Sequence, residues 1–541
     1  MFDQLRFDYL SCAGHPHLST PNLDRLAARG VRFTRAYVQS PVCGASRMST
    51  YTGRYASSHG AQWNGFPLRV GELTMGDHLR DIGMGCHLIG KTHMQADKKG
   101  MQRLGLSPDS VIGARQAECG FDIWLRDDGL WAEGPDGAYD DRSSPYNEFL
   151  KSKGYPGENP WADFANAGVS DQELASGWFM EHADKPANIR EQDSETPWLT
   201  GEAIRFLETQ GKTPWLCHLS YIKPHWPYIV PAPYHNMFGP EHVVPAVRSP
   251  DERVNPHPVF RAFMENVVGR AFSRDEVRNR VIPAYMGLIK QADDQMGRLF
   301  AHLEATGKDK DTMIVVTSDH GDYLGDHWLG EKDLFHEPSV KVPLIIFDPS
   351  PKADATRGTT CDALVEAIDL LPTFIETAGG TPPDHILEGR SLLPWLHSAP
   401  PEKWRDFAVS EYDFSATPMC EALGLLPRDA RLFMVTDRRW KFMHAEGGFC
   451  PMLFDLESDP RELCDLGACR DHGEVIGQMY ERLGAWGRRM SQRLTRSDAD
   501  IIAARDNADS VGVLIGRFSA DELPADLTAK YRGHQPKDFT R

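Results

Sequence analysis

The sequence predicts an α/β fold with a mostly parallel central sheet and a smaller antiparallel sheet near the C-terminus. Short apolar stretches alternate with helical patterns over about the first 400 residues. This alternation is typical of parallel sheets, because parallel strands need a crossover connection that is usually a helix. Several apolar stretches end in charged residues and histidines, and open α/β sheets place their functional sites at those strand ends.

The strands of the main sheet are predicted from short runs of apolar and β-branched residues. These runs lie at residues 86–89, 215–222, 313–317 and 342–347. Polar residues follow two of them directly, as Lys223-Pro224-His225 and as Ser318-Asp319-His320. We therefore expect functional side chains at one edge of this sheet.

Helical patterns fill the segments between the strands. They lie at residues 20–33, 47–55, 72–82, 200–210, 275–306 and 362–378. Pro21 near the start and Gly30 near the end of the first pattern show the usual asymmetry of helix termini. The second helix is expected to begin just after Cys43. Its backbone N–H groups and positive dipole end would then point at that side chain.

From about residue 405 the pattern changes to short strands that follow one another. They lie at 407–411, 431–436, 439–443 and 452–455, before a helix at about 470–494. We therefore predict a catalytic α/β domain at 1–400, a unit of antiparallel sheet plus helix at 401–500, and an arm at 501–541 over the body or a partner subunit. An insertion at about 100–200 is expected to line the substrate entrance.

Composition narrows the classes of protein that the chain can represent. Its 541 residues are 41% hydrophobic and 25% charged, as in ordinary globular proteins. No run approaches the roughly 18 apolar residues of a membrane span, and no N-terminal signal pattern appears. The ten cysteines lack paired spacing, which indicates reduced thiols and a cytoplasmic location. The net charge of −18 disfavours nucleic acids and polyanions and favours a small anionic substrate.

Cys43 lies in the most informative segment, Cys43-Gly44-Ala45-Ser46-Arg47, which is followed by Thr52-Gly53-Arg54. A phosphatase loop of the form Cys-x5-Arg would need arginine at position 49, where Ser49 lies. The sequence contains no Cys-x-x-Cys pair for a zinc ribbon or a dithiol redox site. Taken alone, Cys43 is also compatible with an unreactive buried thiol.

The Cys43 segment resembles the nucleophile signature of type I sulfatases and phosphonate monoester hydrolases. That resemblance implies an alkaline-phosphatase-like α/β sandwich and conversion of Cys43 to formylglycine by a maturation enzyme. The hydrated aldehyde, a geminal diol, is then the nucleophile. Ala45 stands where the family usually has proline, which bears on the choice of maturation system.

The same resemblance implies one divalent metal ion. Asp3 and Gln4 match the first pair of family ligands, Asp319 and His320 match the second pair, and the modified Cys43 completes the set. Oxygen-only sites favour calcium, whereas an imidazole nitrogen favours manganese or a similar ion, so calcium and manganese are the two candidates. Only the end of the first family strand is present, so we expect either more strand upstream or a ligand on a frayed terminus.

Further matched segments imply residues that act on the substrate. In Gly90-Lys91-Thr92-His93, the lysine is expected to contact the nucleophile and the anion, and the histidine to assist breakdown of the covalent intermediate. His225 matches the proton donor to the leaving oxygen, and Lys332 matches the lysine that binds the anion and the leaving group. Arg47 completes the catalytic set, and Asn64 is expected to contact the substrate.

The resemblance favours a sulfatase that acts on small, aryl sulfate monoesters. A phosphonate monoester hydrolase or phosphodiesterase with the same nucleophile is the second hypothesis, because both substrates present one negative charge on a tetrahedral centre. An inactive metal-binding relative with an unmodified Cys43 is the third, and the intact Lys91, His93, His225 and Lys332 argue against it. We also expect a homo-oligomer, either dimer or tetramer, and no nucleic-acid or membrane partner.

Overall fold

The computed structural model describes residues 1–107, 110–129, 144–170, 173–491, 494–505 and 516–526. Its strands are β1 (Val31–Tyr37), β2 (Gly85–Gly90), β3 (Asp122–Arg126), β4 (Ala167–Ser170), β5 (Glu173–Ser176), β6 (Trp215–Ser220), β7 (Ile314–Thr317), β8 (Leu344–Phe347), β9 (Thr359–Glu366), β10 (Ala408–Asp413), β11 (Arg431–Thr436), β12 (Trp440–Ala445) and β13 (Met452–Asp455).

The helices of the first half are α1 (Pro21–Arg29), α2 (Cys43–Thr52), α3 (Ala56–His59), α4 (Met75–Asp81), α5 (Lys98–Arg103), α6 (Val111–Ala117), α7 (Pro145–Ser152) and α8 (Glu195–Thr209). Those of the second half are α9 (Pro258–Met264), α10 (Val267–Phe272), α11 (Asp275–Thr306), α12 (Glu337–Val340), α13 (Leu370–Thr377), α14 (Leu393–Leu396), α15 (Pro418–Ala422), α16 (Gly473–Gly487) and α17 (Asp498–Ala504).

The central layer consists of two strand groups joined by the first residues of the chain. One group has the order β3-β2-β6, with every pair parallel. The other has the order β7-β8-β1-β9, in which β8 is antiparallel to both neighbours and β1 is parallel to β9. Phe2 pairs in parallel with Ser318, and Asp3 pairs in parallel with Pro224. The predicted mostly parallel sheet is therefore confirmed, and Asp3 is buried between the ends of β6 and β7 rather than on a frayed terminus.

Residues on β8 show how the sheet separates two layers of core. Ile345 and Phe347 pack in a cluster with residues of α1, α8 and α11. Leu344 and Ile346 point the other way and pack in a cluster that includes residues of the C-terminal strands. Successive side chains of a strand point to opposite faces, so this short apolar run is buried on both sides.

The small C-terminal sheet is an antiparallel meander, β10-β11-β12-β13. Met479 and Trp486 of α16 pack on one face of it, against residues such as Val409 and Phe442. This arrangement confirms the predicted antiparallel sheet with one packed helix. The boundaries of the predicted domains, insertion and arm stay predictions, and parts of the insertion and of the arm lie outside the described residues.

Two predicted helices were partly wrong. The pattern at 20–33 ends as a helix at Arg29, and β1 follows at once. A Cβ at Gly30 would lie 2.3 Å from the Ile346 carbonyl oxygen, so glycine permits the close approach of β8 there. The pattern at 362–378 divides into the end of β9 and α13. Pairing of β9 with β1, in the register Leu364↔Arg35, outweighs the local helix propensity.

Candidate active site

The candidate active site lies where the chain leaves several central strands. Asp3 follows the N-terminal pairing segment, Asp319 and His320 follow β7, and Cys43 is the first residue of α2. The Cys43 Sγ atom lies 3.0 Å from His320 Nε2 and 3.8 Å from Asp3 Oδ1. All four residues are fully buried. The structure thus brings together groups that are up to 317 positions apart, as the matched segments predicted.

This group has the donor atoms that a metal ion requires. Asp3, Cys43, Asp319 and His320 each offer one ligand atom, and these atoms lie within 4.8 Å of one another. The thiol sulfur occupies the place that the oxygen atoms of formylglycine would take. Oxygen and imidazole donors suit a divalent cation of the calcium or manganese class.

Gln4 gives an independent test of whether the group fits a cation. Its Nε2 donates to Tyr228 Oη at 3.2 Å and to Asp322 Oδ2 at 2.5 Å. These bonds use the amide donors, and Gln4 Oε1 is buried without a hydrogen-bond partner. A buried acceptor without a donor is unfavourable unless a ligand or cation satisfies it. The orphaned oxygen therefore fits the predicted role of Gln4 as a metal ligand.

His320 is oriented in the way that metal-binding histidines usually are. Its Nδ1 lies 2.8 Å from the Gly321 carbonyl oxygen, which only accepts hydrogen bonds. In the neutral ring the proton is therefore on Nδ1, which leaves the lone pair on Nε2, toward Cys43, available to a cation. Without a cation, Asp319 and Cys43 outweigh burial and raise the pKa of His320 to about 9.

Arg47 lies behind the carboxylates and binds both of them. Its Nε donates to Asp319 Oδ2 at 2.7 Å, and one terminal nitrogen donates to Asp3 Oδ2 at 3.2 Å. The other terminal nitrogen donates to the Lys91 carbonyl and to Ser220 Oγ. Four of the five N–H donors are thus engaged with the protein. The geometry indicates that Arg47 positions the two carboxylates, which are candidate metal ligands, and leaves it little capacity to bind substrate.

Two lysines make the position of residue 43 strongly electropositive. Lys332 Nζ lies 3.1 Å from Cys43 Sγ, and Lys91 Nζ lies 2.6 Å from Asp3 Oδ2. Burial alone would raise the pKa of the Cys43 thiol, but Lys332, His320 and Lys91 together hold it well below its usual range. The surroundings of residue 43 therefore favour a negatively charged nucleophile and a bound anion.

His225 faces the same space from the end of β6. Its Nε2 lies 3.4 Å from Lys332 Nζ and 4.0 Å from Asp3 Oδ1. Its Nδ1 lies 2.8 Å from the carbonyl oxygen of Trp226, which assigns a proton to Nδ1. Burial lowers the pKa of His225 to about 4, so the imidazole is neutral in the free protein.

Asn64 contacts the backbone at the nucleophile end of α2. Its Oδ1 accepts a hydrogen bond from the Gly44 N–H at 2.7 Å. A Cβ at Gly44 would lie 2.9 Å from the same oxygen, so glycine permits this close approach. The contact satisfies one of the N–H groups that a helix leaves free in its first turn. The predicted contact of Asn64 with substrate stays a prediction.

His93 is the predicted site residue with the least direct connection to Cys43. Its backbone N–H donates to Asp128 Oδ1 at 2.7 Å, and its Nδ1 is buried without a partner. Among the described residues, no hydrogen bond joins its ring to Cys43, Lys91 or Lys332. The predicted role of His93 in breaking down an intermediate is therefore not explained by this geometry.

Sequence reasoning missed several supporting residues. Asp322 and Tyr228 orient the Gln4 amide, and Ser220 binds Arg47. Each lies within a few positions of a matched segment, so proximity to those segments was an available signal. Glu195, which lies near Lys91 and Lys223, had no comparable signal because it begins a helix far from any motif.

Comparisons with known proteins decide the family. The sequence matches the sulfatase family model over residues 1–380. The chain belongs to the sulfatase family. Residues 325–488 also match the model described as N-sulphoglucosamine sulphohydrolase, C-terminal. These matches confirm the predicted family and identify the chain as a hydrolase of the sulfatase family.

Relatives of this family member cover nearly its whole length. A multifunctional alkaline phosphatase superfamily protein from Trinickia caryophylli is 30% identical over 534 residues, with 93% of this chain and 96% of that protein covered. An arylsulfatase from Clostridium perfringens is 28% identical, with 89% and 92% covered.

Solved structures extend the likeness to the fold. A phosphonate monoester hydrolase from Silicibacter pomeroyi has a TM-score of 0.79 at 28% identity, with 91% of this chain and 95% of that chain covered. The phosphonate monoester hydrolase of Agrobacterium radiobacter has a TM-score of 0.76 at 29% identity, with 90% and 94% covered. These matches agree with the predicted fold class. In the part of the chain that the structure describes, no helix has the length and apolar character that crossing a membrane requires.

Proposed function

We propose that this sulfatase-family protein hydrolyses small monoanionic esters, with phosphonate monoesters and phosphodiesters as the first candidate substrates. The observation that carries the proposal is the position of Cys43. Its Sγ lies 3.1 Å from Lys332 Nζ and 3.0 Å from His320 Nε2, within the group of candidate metal ligands. A nucleophile in that position is surrounded by the positive groups that a tetrahedral anion requires.

Aryl sulfate monoesters are the second candidate, although the sequence-based prediction placed them first. The two substrate classes share charge and shape, so the site geometry does not choose between them. Likeness to two phosphonate monoester hydrolases over at least 90% of this chain favours the phosphorus esters. Likeness to an arylsulfatase at 28% identity keeps the sulfate esters as an alternative.

The proposed reaction divides the work among the residues around the substrate. Asp3, Gln4, Asp319, His320 and residue 43 would hold the divalent ion, and Arg47 keeps the two carboxylates in place. Formylglycine at position 43 would supply a hydroxyl nucleophile, and the cation would supply Lewis-acid stabilisation of negative charge. Lys91 and Lys332 bind the non-bridging oxygen atoms of the anion.

His225 is the proposed proton donor to the leaving oxygen. Its Nδ1 is committed to the Trp226 carbonyl, so the transferred proton must be carried on Nε2. The neutral imidazole of the free protein has to gain that proton. A bound anion favours this gain, because a nearby negative charge raises the pKa of a histidine. General acid catalysis of this kind typically contributes about 10²–10⁴-fold.

Two measurements test the proposal. Mass spectrometry of the peptide that contains Cys43 should show a loss of roughly 18 Da, from conversion of the thiol side chain to the aldehyde nucleophile precursor. Parallel kcat/KM values should be compared for the 4-nitrophenyl esters of phenylphosphonate and sulfate and for bis(4-nitrophenyl) phosphate. We expect the phosphonate to exceed the sulfate by about tenfold or more, which corresponds to about 1.4 kcal/mol.

The opposite ranking would move aryl sulfates to first place. An unmodified thiol with no turnover of any ester would instead support the inactive metal-binding relative. The maturation enzyme, the homo-oligomer and the cytoplasmic location stay predictions.

A further inference from the structure

The loop that follows β6 is held by a buried lysine. Lys223 is 7% exposed, and its Nζ donates to the carbonyl oxygens of Pro227 at 3.1 Å and His225 at 3.4 Å. These two carbonyls lie on either side of Trp226 along the chain. The Trp226 carbonyl accepts the hydrogen bond from His225 Nδ1. Lys223 therefore binds both neighbours of the carbonyl that orients the histidine ring.

The direction in which the His225 imidazole ring points depends on the conformation of this loop. The His225 ring packs against the Trp226 ring, with centroids 4.5 Å apart, and Trp226 in turn contacts Trp178 at 5.4 Å. The Nε2 atom on the other side of the ring lies 3.4 Å from Lys332 Nζ. A change in the backbone from 225 to 227 would therefore move Nε2 relative to the anion site.

Two buried carboxyl groups lie near the Lys223 ammonium. Burial lowers the pKa of Lys223, while Glu195 and Asp127 act in the opposite direction. Among the described residues, no ion pair within 4.0 Å joins Lys223 to either carboxyl. Glu195, Lys223, Lys91 and His225 instead line a cavity of about 10 Å³, which is close to the smallest space that holds one water. Burial and the neighbouring carboxyl groups hold the pKa of Asp127 well above its usual range. Burial also raises the pKa of Glu195, but Lys223 opposes that rise, so Glu195 is the group that balances the lysine charge across a short gap.

Burial by itself disfavours the charged form of Lys223. Removing an ammonium from water is unfavourable until its partners compensate, and a neutral side-chain amide could also donate to two carbonyls. Glu195 already accepts a hydrogen bond from Trp161 Nε1 at 2.8 Å, so its carboxyl is fixed in place. The hydrogen bonds from the Lys223 ammonium to the two carbonyls are charge-assisted, so they hold the loop more firmly than a neutral donor would.

We propose that Lys223 is a positioning residue for His225 and that Glu195 is its counter-charge. Lys223 fixes the carbonyls on both sides of Trp226 and thereby holds His225 Nε2 toward the leaving oxygen. This inference rests on the proposed role of His225 as proton donor.

The test compares leaving groups rather than absolute rates. Lys223→Met, His225→Ala, the double variant and the exposed-lysine control Lys212→Met would be assayed on phenyl and 4-nitrophenyl phenylphosphonate, or on the corresponding sulfates if those are turned over. Lys223→Met should lose about 10²-fold on the phenyl ester, the size of loss that misplacement of a reacting group produces. It should lose far less on the nitrophenyl ester, which needs little help from an acid.

The ratio of the two rates on one preparation does not depend on the folded fraction, so partial misfolding does not imitate the expected result. In the double variant, loss of Lys223 should cause no further decrease on the phenyl ester, because the group that it positions is gone. Glu195→Gln keeps the oxygen that accepts from Trp161. It should give the same leaving-group dependence with a smaller loss.

The outcomes separate the two proposals. Equal losses of His225→Ala on both esters would overturn the acid role of His225 and this inference together. Leaving-group dependence in His225→Ala but not in Lys223→Met would overturn the inference alone. A loss in the double variant equal to the product of the two single-variant losses would also overturn the inference alone.

Discussion

Two buried charge clusters in this protein differ in whether their buried charged and polar groups have partners. In the first, Lys441 Nζ is fully buried and lies 2.8 Å from Glu337 Oε1 and 2.6 Å from Glu462 Oε1. In the second, around Cys43, Gln4 Oε1 is buried without a partner and Lys332 Nζ faces a thiol. The closed cluster joins β12 of the small sheet to α12 of the main body. The open one has a buried acceptor oxygen that a cation would satisfy, so one cluster joins two parts of the fold and the other has a feature expected of a binding site.

The largest expected effect tests the open cluster. Asp319→Asn keeps the size of the side chain but removes a charged metal ligand, so we expect loss of bound metal and a fall in kcat/KM of about 10³-fold or more. Metal content and activity should be measured on the same preparation. Asp354→Asn, at an exposed position, is the matched control. Wild-type turnover with no metal in the variant would contradict the interpretation.

A substitution in the closed cluster should lower the free energy of unfolding. Lys441→Met leaves Glu462 buried without its cation, whereas Glu337 keeps Lys341 at 2.9 Å. Breaking a buried pair in this way typically costs about 3–5 kcal/mol. The free energy of unfolding should fall by that amount in denaturant titrations, with little change in activity per folded molecule. Lys403→Met at the surface serves as the control. An unchanged free energy of unfolding together with a loss of activity would contradict the assignment of the Lys441 cluster to stability.

Metal removal offers a third comparison between the clusters. An ion that binds only the folded protein stabilises it by about 2.7 kcal/mol at a concentration 100 times its Kd. Stripping the protein with a chelator should therefore lower its unfolding midpoint, and adding calcium or manganese should restore it. Lys441→Met should show the same metal-dependent increment as the wild type, because its defect lies elsewhere. An unfolding midpoint independent of both ions would argue against a metal at the Cys43 centre.

The smallest expected effect concerns Asn64. Asn64→Ala removes the acceptor for the Gly44 N–H and should destabilise the protein by about 1 kcal/mol, as loss of a helix cap does. Asn64→Asp retains an acceptor at the positive end of α2 and should recover most of that stability. Thermal unfolding of the two variants is the measurement. Equal destabilisation by both substitutions would contradict the interpretation that the Asn64 acceptor oxygen stabilises the start of α2.

The fold was predictable where strand patterns and turn signals agreed, and less so where local propensity opposed pairing. The runs that became β6, β7 and β8 are apolar and short, and they were predicted close to their observed ends. Residues 362–366 continue into the helical pattern that runs to 378, yet they pair with β1 because that pairing satisfies backbone groups across the sheet. Such pairing depends on residues more than 300 positions away, and no local pattern records it.

The site was predictable in its membership but not in the roles of all its members. The matched segments brought Asp3, Cys43, Asp319 and His320 to one place. Arg47 was expected in the catalytic set without a defined role, and the structure directs it at two carboxylates. Asn64 was expected to contact the substrate, which stays a prediction, and its observed contact is with a backbone N–H. Those directions depend on which neighbours surround each side chain in the folded chain, which sequence spacing does not specify.

The burial of Cys43 has a consequence for the order of events during synthesis. Cys43 is fully buried, and its neighbour His320 is 277 residues later in the chain. At a ribosomal rate of about 5–20 residues per second, those residues take about 15–55 s to make. Throughout that interval the thiol cannot become buried in this site, because Asp319, His320 and Lys332 have not yet been synthesised. An enzyme that modified Cys43 would therefore meet an accessible segment on the nascent chain and a buried one in the folded protein.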